Sequence, residues 1–347
     1  MGVSIIEIAK LAGVSKSTVS AVINNHPNVR PSTRERVLEA VKKLDYHPNI
    51  AARELSTSFP MNIGIIMPSY SHSSQNDGNK YFSSIDEGSN LELVSQLIEK
   101  VSQTRYGVLV EHVVVSDNEP SLPSFALSRR VSGIFQISPL FSTDYVQKMH
   151  EYVPNIIEIG SLNPECDSVY TDYAEIGSTS VNYLVRMGHK KIAFINCTPE
   201  SRTSGSRLEG YISGLKQNGI EYDERIVEHS PFCGIGGYRA FEKLWHNAKE
   251  KPTAVICATS VIAGGALRFM HENGISVPDD VSVVCNGDNA VSEFSTPRLT
   301  AICRDKTEIA EQAFLMMTER LKDNSLPVSS FKTTSFIIER ESVKKIV

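Results

Sequence analysis

Ile8-Ala9-Lys10-Leu11-Ala12-Gly13-Val14-Ser15-Lys16-Ser17-Thr18-Val19-Ser20 joins the end of one amphipathic pattern to the start of another. Upstream, Ser4-Ile5-Ile6-Glu7 has the form of a capping box, in which Glu7 reaches back to the free backbone donor of Ser4. Ile5, Ile8, Ala9 and Ala12 then recur at helical spacing, and Gly13 tolerates the positive φ of a tight turn. Ser15 opens a second helix with Val19, Val22 and Ile23 on one face. Asn24-Asn25-His26-Pro27 ends it. A third start, Ser32-Thr33-Arg34-Glu35, again reads as a capping box, and Val37, Leu38, Val41 and Leu44 are its expected buried stripe.

Two helices meeting at a glycine turn form a helix-turn-helix, whose second helix enters the DNA major groove by its N-terminal end. Here that end is Ser15-Lys16-Ser17-Thr18, short polar or cationic side chains that can approach phosphates and base edges. The alternative is an ordinary three-helix bundle with a solvated polar face. After the third helix, Tyr46-His47-Pro48-Asn49 breaks the chain. Ile50-Ala51-Ala52-Arg53-Glu54-Leu55 follows, too short to hold a helix in water unaided. Read alone, it is equally an interdomain linker.

Charge separates the same regions. The 347 residues carry a formal charge of −5, which by itself argues against a nucleic-acid binder. Residues 1–60 hold eight Lys/Arg against five acids, a net of +3, and the remainder carries −8. The expected domains are a head at 1–47, a hinge helix and linker at 48–60, and a two-lobed body at 61–347.

From residue 61, short apolar runs alternate with longer amphipathic ones. Strands are expected at 63–67, 108–115, 133–137, 155–159, 192–196, 254–258 and 281–285. Helical patterns lie near 85–103, 173–187, 206–218, 237–249, 261–273 and 306–321. Such alternation implies parallel sheets covered on both faces. A chain of this length makes two such α/β lobes, with a ligand at the carboxyl ends of the strands between them.

Together the head motif, Asn24 and Tyr46-x-Pro48-Asn49-x-x-Ala52-Arg53-x-Leu55 resemble the LacI–GalR family of bacterial transcription repressors. In the body, Met187-Gly188-His189-Lys190-Lys191-Ile192, Arg207-x-x-Gly210-Tyr211 and Val277-Pro278-Asp279-Asp280-Val281 carry the likeness to a periplasmic-binding-protein-like domain. The resemblance implies an all-α helix-turn-helix head on an α/β body, a homodimer, operator DNA as partner, and a small-molecule effector, a sugar or sugar phosphate. It makes Lys16 and Ser17 base readers, Ser15, Thr18 and Asn24 phosphate contacts, and Ala21 a third reader. Leu55, with Ala52 beside it, becomes the hinge wedge that unstacks a base step. Many relatives carry Arg where Ala21 stands. Alanine offers a thymine methyl only apolar contact, so a different half-site is expected.

For the effector the resemblance implies Arg207, with a surface salt-bridge arginine as the alternative. Phe232 falls where relatives place a ring against the ligand, and a core Phe is the alternative. One acid of the family's Asp pair survives, as Asp288. The family's Asn-Pro-Phe-Phe segment appears as Asn79-Lys80-Tyr81-Phe82, which brings Phe82 and Lys80 to the cleft, and Ser69 opens the polar loop before it. Fewer carboxylates and more cations point to an anionic ligand.

The rival class is a sugar or phosphosugar enzyme of doubly wound fold. The chain lacks a Gly-x-Ser-x-Gly elbow, a phosphate-binding Gly-x-x-x-x-Gly-Lys-Ser/Thr loop and a His-Glu-x-x-His. Its six scattered cysteines contain no Cys-x-x-Cys pair and read as buried thiols of a reducing compartment. No cofactor, catalytic residue or metal is expected. Glu7 and Lys10 interrupt the N-terminal apolar stretch, no run is long enough to span a membrane, and a cytoplasmic protein is expected.

Overall fold

Gly13 takes φ 65° and ends α1 (Ile5–Ala12), its amide reaching the Lys10 carbonyl while Val14 N–H reaches Ala9 at 3.0 Å. This left-handed closure turns the chain directly into α2 (Lys16–Ile23). At the start of α1, Glu7 Oε2 accepts from the Ser4 amide at 2.7 Å and from its hydroxyl at 2.9 Å, as the cap signature predicts. α3 (Pro31–Lys43) departs from expectation. It begins at Pro31 with Arg30 as N-cap, because proline's fixed φ preforms a first turn. Leu38 is exposed, and Ala40 takes the buried place beside Val37, since 37, 40, 41 and 44 share a stripe that 38 misses by one residue's rotation. Ile8, Val19 and Val37 form the centre of the small core.

This computed structural model describes residues 3–23, 28–46, 60–73, 80–84, 87–115, 120–137, 142–199, 201 and 203–346. For 68–73, 80–84, 87–89 and 114–115 it describes the backbone alone. The expected contributions of Asn24, Ala52 and Leu55, and most of the expected hinge, lie outside the described residues. The chain divides into two compact units, Met1–Met61 and Asn62–Val347.

The larger unit contains two sheets. The first is built from β1 (Asn62–Ser73), β2 (Lys80–Ser84), β3 (Gly107–Val115), β4 (Gly133–Ile137), β5 (Ile156–Gly160), β6 (Asp167–Tyr170) and β12 (Ser330–Lys332). Its order runs β12-β6-β5-β4-β1, with β3 parallel and β2 antiparallel to β1. Ile63, Ile65, Met67 and Phe135 face one apolar cluster, and Ile66, Ile134 and Ile156 face another. Alternate residues are thus buried on opposite faces, which is why these strands read as continuous apolar runs. Helices α4 (Glu87–Ser102), α5 (Ser124–Leu127) and α6 (Thr143–His150) connect the strands.

The second sheet runs β13-β11-β10-β9-β7-β8, from β7 (Ile192–Cys197), β8 (Val227–Ser230), β9 (Ala254–Cys257), β10 (Ser282–Asn286), β11 (Thr300–Arg304) and β13 (Ser335–Ile338). Its helices are α7 (Tyr173–Arg186), α8 (Ser204–Gln217), α9 (Gly234–Asn247), α10 (Ser260–Glu272) and α11 (Ala290–Phe294). The chain crosses between lobes three times: after β6, after β11 into α12 (Lys306–Lys322), which packs against the first sheet, and between β12 and β13. Hydrogen bonds tie the crossings together. Thr171 and Thr333 hydroxyls meet at 3.1 Å, and Thr333 N–H donates to the Tyr170 carbonyl at 2.8 Å.

Candidate functional site

In the head, Ser15 Oγ accepts from the Thr18 amide at 3.1 Å and lies within 2.8 Å of the Ser17 and Thr18 hydroxyls, so these three side chains form one capped first turn. Ser15, Lys16 and Ser17 are exposed, and Thr18 and Ala21 are half-buried. Ser17 and Ala21, four residues apart, share a face with Thr18 between them. The expected readers therefore stand together on the solvent side of α2, opposite Val19 and Val22.

In the body, Ser161, Leu162, Tyr170 and Thr171, which end or follow β5 and β6, face Tyr173, Thr203 and Ser206 at the starts of α7 and α8 across a cavity of about 270 Å³. The cavity therefore opens at the carboxyl ends of the strands and between the lobes. α8, α9 and α10 each follow a parallel strand, so their N-termini and positive dipole ends point the same way. Buried Asn196 at the end of β7 fixes the first of them, its amide donating to the Ser204 carbonyl and hydroxyl at 2.9 and 3.0 Å.

Arg207 sits in the first turn of α8 with 6% of its surface exposed. Its guanidinium carbon lies 4.1 Å from the centre of the Tyr173 ring, and Nη1 donates to Thr203 Oγ1 and, at 3.3 Å, to Cys197 Sγ. Nε has no partner, and no carboxylate pairs with this arginine among the described residues. The alternative of a surface salt bridge is excluded by that burial. Two more buried polar atoms of this lobe are also unpartnered, Asn286 Nδ2 at the end of β10 and Ser260 Oγ at the start of α10. All three can donate a hydrogen bond, and all three belong to the carboxyl-end side of the second sheet.

The remaining expected residues fall elsewhere or outside description. Phe232 is buried in the core cluster of the second lobe, so its ring packs there. Asp288 is engaged within the protein, because Arg340 donates to both its oxygens at 2.7 and 2.9 Å and Ser292 Oγ adds a third bond. Burial works to raise its carboxyl, but the Arg340 and Ser292 hydrogen bonds prevail and hold it below the usual range. Ser69 lies on β1 paired with Ser84, and Phe82 on β2 paired with Ser71, with only their backbones described. The sequence pattern does not single out Tyr173, Thr203 or Asn196 as site residues. The visible signal for Tyr173 was Asp172, which caps α7 by accepting from the Glu175 amide at 3.0 Å and so places the next residue at the helix start.

Among the described residues, no helix is long and apolar enough to cross a membrane, and no cluster of His, Cys, Asp or Glu is arranged to hold a metal ion. Residues 4–49 match the family described as bacterial regulatory proteins, lacI family, and residues 181–343 match the periplasmic binding protein-like domain. Catabolite control protein A of Priestia megaterium is 27% identical, covering 99% of this chain and all of the relative. The HTH-type transcriptional repressor PurR of Mannheimia succiniciproducens is 28% identical over 98% of both chains. A crystal structure of the Lac repressor dimer bound to operator and the anti-inducer ONPF superposes with a TM-score of 0.78 at 24% identity, over 99% of this chain and all of that one. The curated relatives are named for regulation rather than for catalysis. The chain thus joins a lacI-family helix-turn-helix head to a two-lobed periplasmic-binding-protein-like body, in the order of the regulators it resembles.

Proposed function

We propose that this regulator binds operator DNA as a homodimeric repressor whose affinity is set by an anionic small molecule, a phosphorylated sugar by class, held between the lobes by Arg207. The observation that carries the reading is a buried guanidinium with an unpartnered Nε and no carboxylate neighbour among the described residues. An arginine buried without a counterion is costly, and a ligand anion relieves that cost with charge-assisted hydrogen bonds. The helix N-termini around the cleft favour the same sign of charge, and the Asn286 amide and Ser260 hydroxyl offer further donors.

In the head, Lys16, Ser17 and Ala21 face the bases, and Ser15, Thr18 and Asn24 the phosphates, with Ala52 and Leu55 as the hinge contact. A ligand that binds one arrangement of the lobes more tightly shifts the population competent for DNA, and linkage makes the effect reciprocal. Calorimetry on the full chain with glucose, glucose 6-phosphate and inorganic phosphate tests the cleft. A gel shift with upstream DNA, using the chain with and without residues 1–60, tests the head. Phosphate-dependent binding lost in Arg207→Gln is the expected result. Tight binding of neutral glucose with no binding of either phosphate overturns the anionic assignment.

A further inference from the structure

Arg304, the last residue of β11, lies where that strand leaves the second lobe for α12. Its Nη1 donates to Thr171 Oγ1 and to the Tyr173 hydroxyl, both at 3.3 Å, and its guanidinium carbon is 6.0 Å from the centre of the Tyr173 ring. Arg207 approaches the same ring at 4.1 Å. The two guanidinium carbons are therefore separated by no more than the sum of those distances, about 10 Å. Neither arginine has a carboxylate partner among the described residues.

The cavity between the lobes connects the two. Thr203, which accepts from Arg207, lines it, and so do Thr171 and Tyr173, which accept from Arg304. Asp172 also lines it, but Lys332 holds that carboxylate at 2.9 Å and bridges it to Glu175 at 2.7 Å. Ser206 also lines the cavity, as does Ser161, whose hydroxyl donates to Glu158. Two like charges sharing one aromatic ring repel each other, and one of them is almost completely desolvated. An aromatic face returns only about 0.5–2 kcal/mol to each cation. Arginine's planar fork matches phosphate geometry, so an anion on each guanidinium cancels both the repulsion and the desolvation.

We infer that Arg304 is a second anion anchor of the cleft, and that the effector carries two anionic groups, such as two phosphates or a phosphate and a carboxylate, spanning Arg207 and Arg304 along the Tyr173 ring. This rests on the reading of Arg207 as the first anchor. Both arginines belong to the second lobe, Arg207 on α8 and Arg304 at the end of β11, and Ser161 and Leu162 of the first lobe line the same cavity.

Inorganic phosphate, pyrophosphate and tripolyphosphate serve as probes, titrated into the full-length chain by calorimetry at fixed ionic strength without divalent cations. For the unaltered chain, affinity is expected to rise at least tenfold from phosphate to tripolyphosphate. Arg304→Gln is expected to abolish that rise, and Arg207→Gln to weaken binding of all three probes at least tenfold. Arg304→Met, which keeps the apolar stem, repeats the comparison should the Gln variant melt at a lower temperature. An undiminished rise in both Arg304 variants overturns the second anchor and leaves Arg207 standing. Phosphate binding that is undiminished in Arg207→Gln and also in the chain carrying both Arg207→Gln and Arg304→Gln overturns the anionic reading itself, and the second anchor with it.

Discussion

Gly177 packs against the backbone of Arg207 so closely that a β-carbon at 177 would lie 2.6 Å from the Arg207 carbonyl oxygen and 2.8 Å from the Tyr211 amide. Gly210 makes the reciprocal approach to Ala174. The two glycines let α7 and α8 touch along their backbones, and that contact brings Arg207 of one helix over Tyr173 of the other. Alanine is the better helix former by about 1 kcal/mol. Here the obstructing atoms are backbone, so the helices must separate, and overpacking of this kind costs about 1–3 kcal/mol. Gly177→Ala is expected to lower the thermal midpoint of the body and to weaken phosphate binding several-fold by moving Arg207 off its ring. Unchanged phosphate affinity in a folded variant would show that the helix contact does not position the arginine.

The same residues mark how far the sequence could be read. Gly210 stands inside the Arg207-x-x-Gly210-Tyr211 motif, but that motif does not reveal that Gly177, over thirty residues earlier, is glycine for the same helix contact. The central strands β4, β7 and β9 were legible because both faces are buried and all their residues but Gln136 and Asn196 are apolar or glycine. β6 and β8, with Asp167-Ser168-Val169-Tyr170 and Val227-Glu228-His229-Ser230, were not. β6 is a buried strand in which a carboxylate is tolerated because Arg320, from a helix over 150 residues later, reaches it. Pairing at that distance leaves no local trace. The expected roles of Phe232 and Asp288 came from the family pattern, whereas what they touch in the fold is a core cluster and Arg340.

Arg207 also makes a prediction about the protein without ligand. Among the described residues, its buried charge is met by Tyr173, Thr203 and the Cys197 sulfur. Arg207→Met keeps the packing volume and removes the desolvated charge, so the ligand-free variant is expected to melt at the same temperature as the native chain or higher. Added phosphate should then raise the native midpoint and leave the variant's unchanged. A marked loss of ligand-free stability in Arg207→Met would assign this arginine to the fold instead of to the effector.

Asp167 predicts a pH effect of defined sign. Arg320 donates to both its oxygens at 2.7 and 2.8 Å, and the Ser329 amide adds a bond at 2.7 Å. Burial opposes the charged form, yet these bonds outweigh it and hold the carboxyl below its ordinary value. A depressed folded-state value stabilises the protein above the unfolded value, near pH 4, and that contribution is lost as pH falls through the folded one. The native thermal midpoint is therefore expected to fall more steeply below pH 4 than that of Asp167→Asn. Arg320→Met, which strands the carboxylate at 3% side-chain exposure, should cost about 3–5 kcal/mol at neutral pH. Parallel acid slopes for the native chain and Asp167→Asn would contradict this assignment.

Ala21 bears on which operator is read. It is half-buried on the face of α2 that carries Ser17, where its methyl can meet a thymine methyl but donates nothing to guanine. Arginine at this position extends past the exposed Ser17 without disturbing Val19 or Val22, which face the head's core on the opposite side. A bidentate contact to guanine discriminates by about 1–3 kcal/mol, and a homodimer applies it in both half-sites. Selection from a library of randomised half-sites is thus expected to give the native chain no guanine preference at one symmetric position and to give Ala21→Arg a strong one there. Lys16→Ala, which removes an exposed cation, should weaken binding and flatten the dependence on salt by about one unit of log–log slope per head. Identical selected sites for the native chain and Ala21→Arg would remove Ala21 from the reading face, while an unchanged salt slope would show that the Lys16 cation displaces no counterion from the DNA.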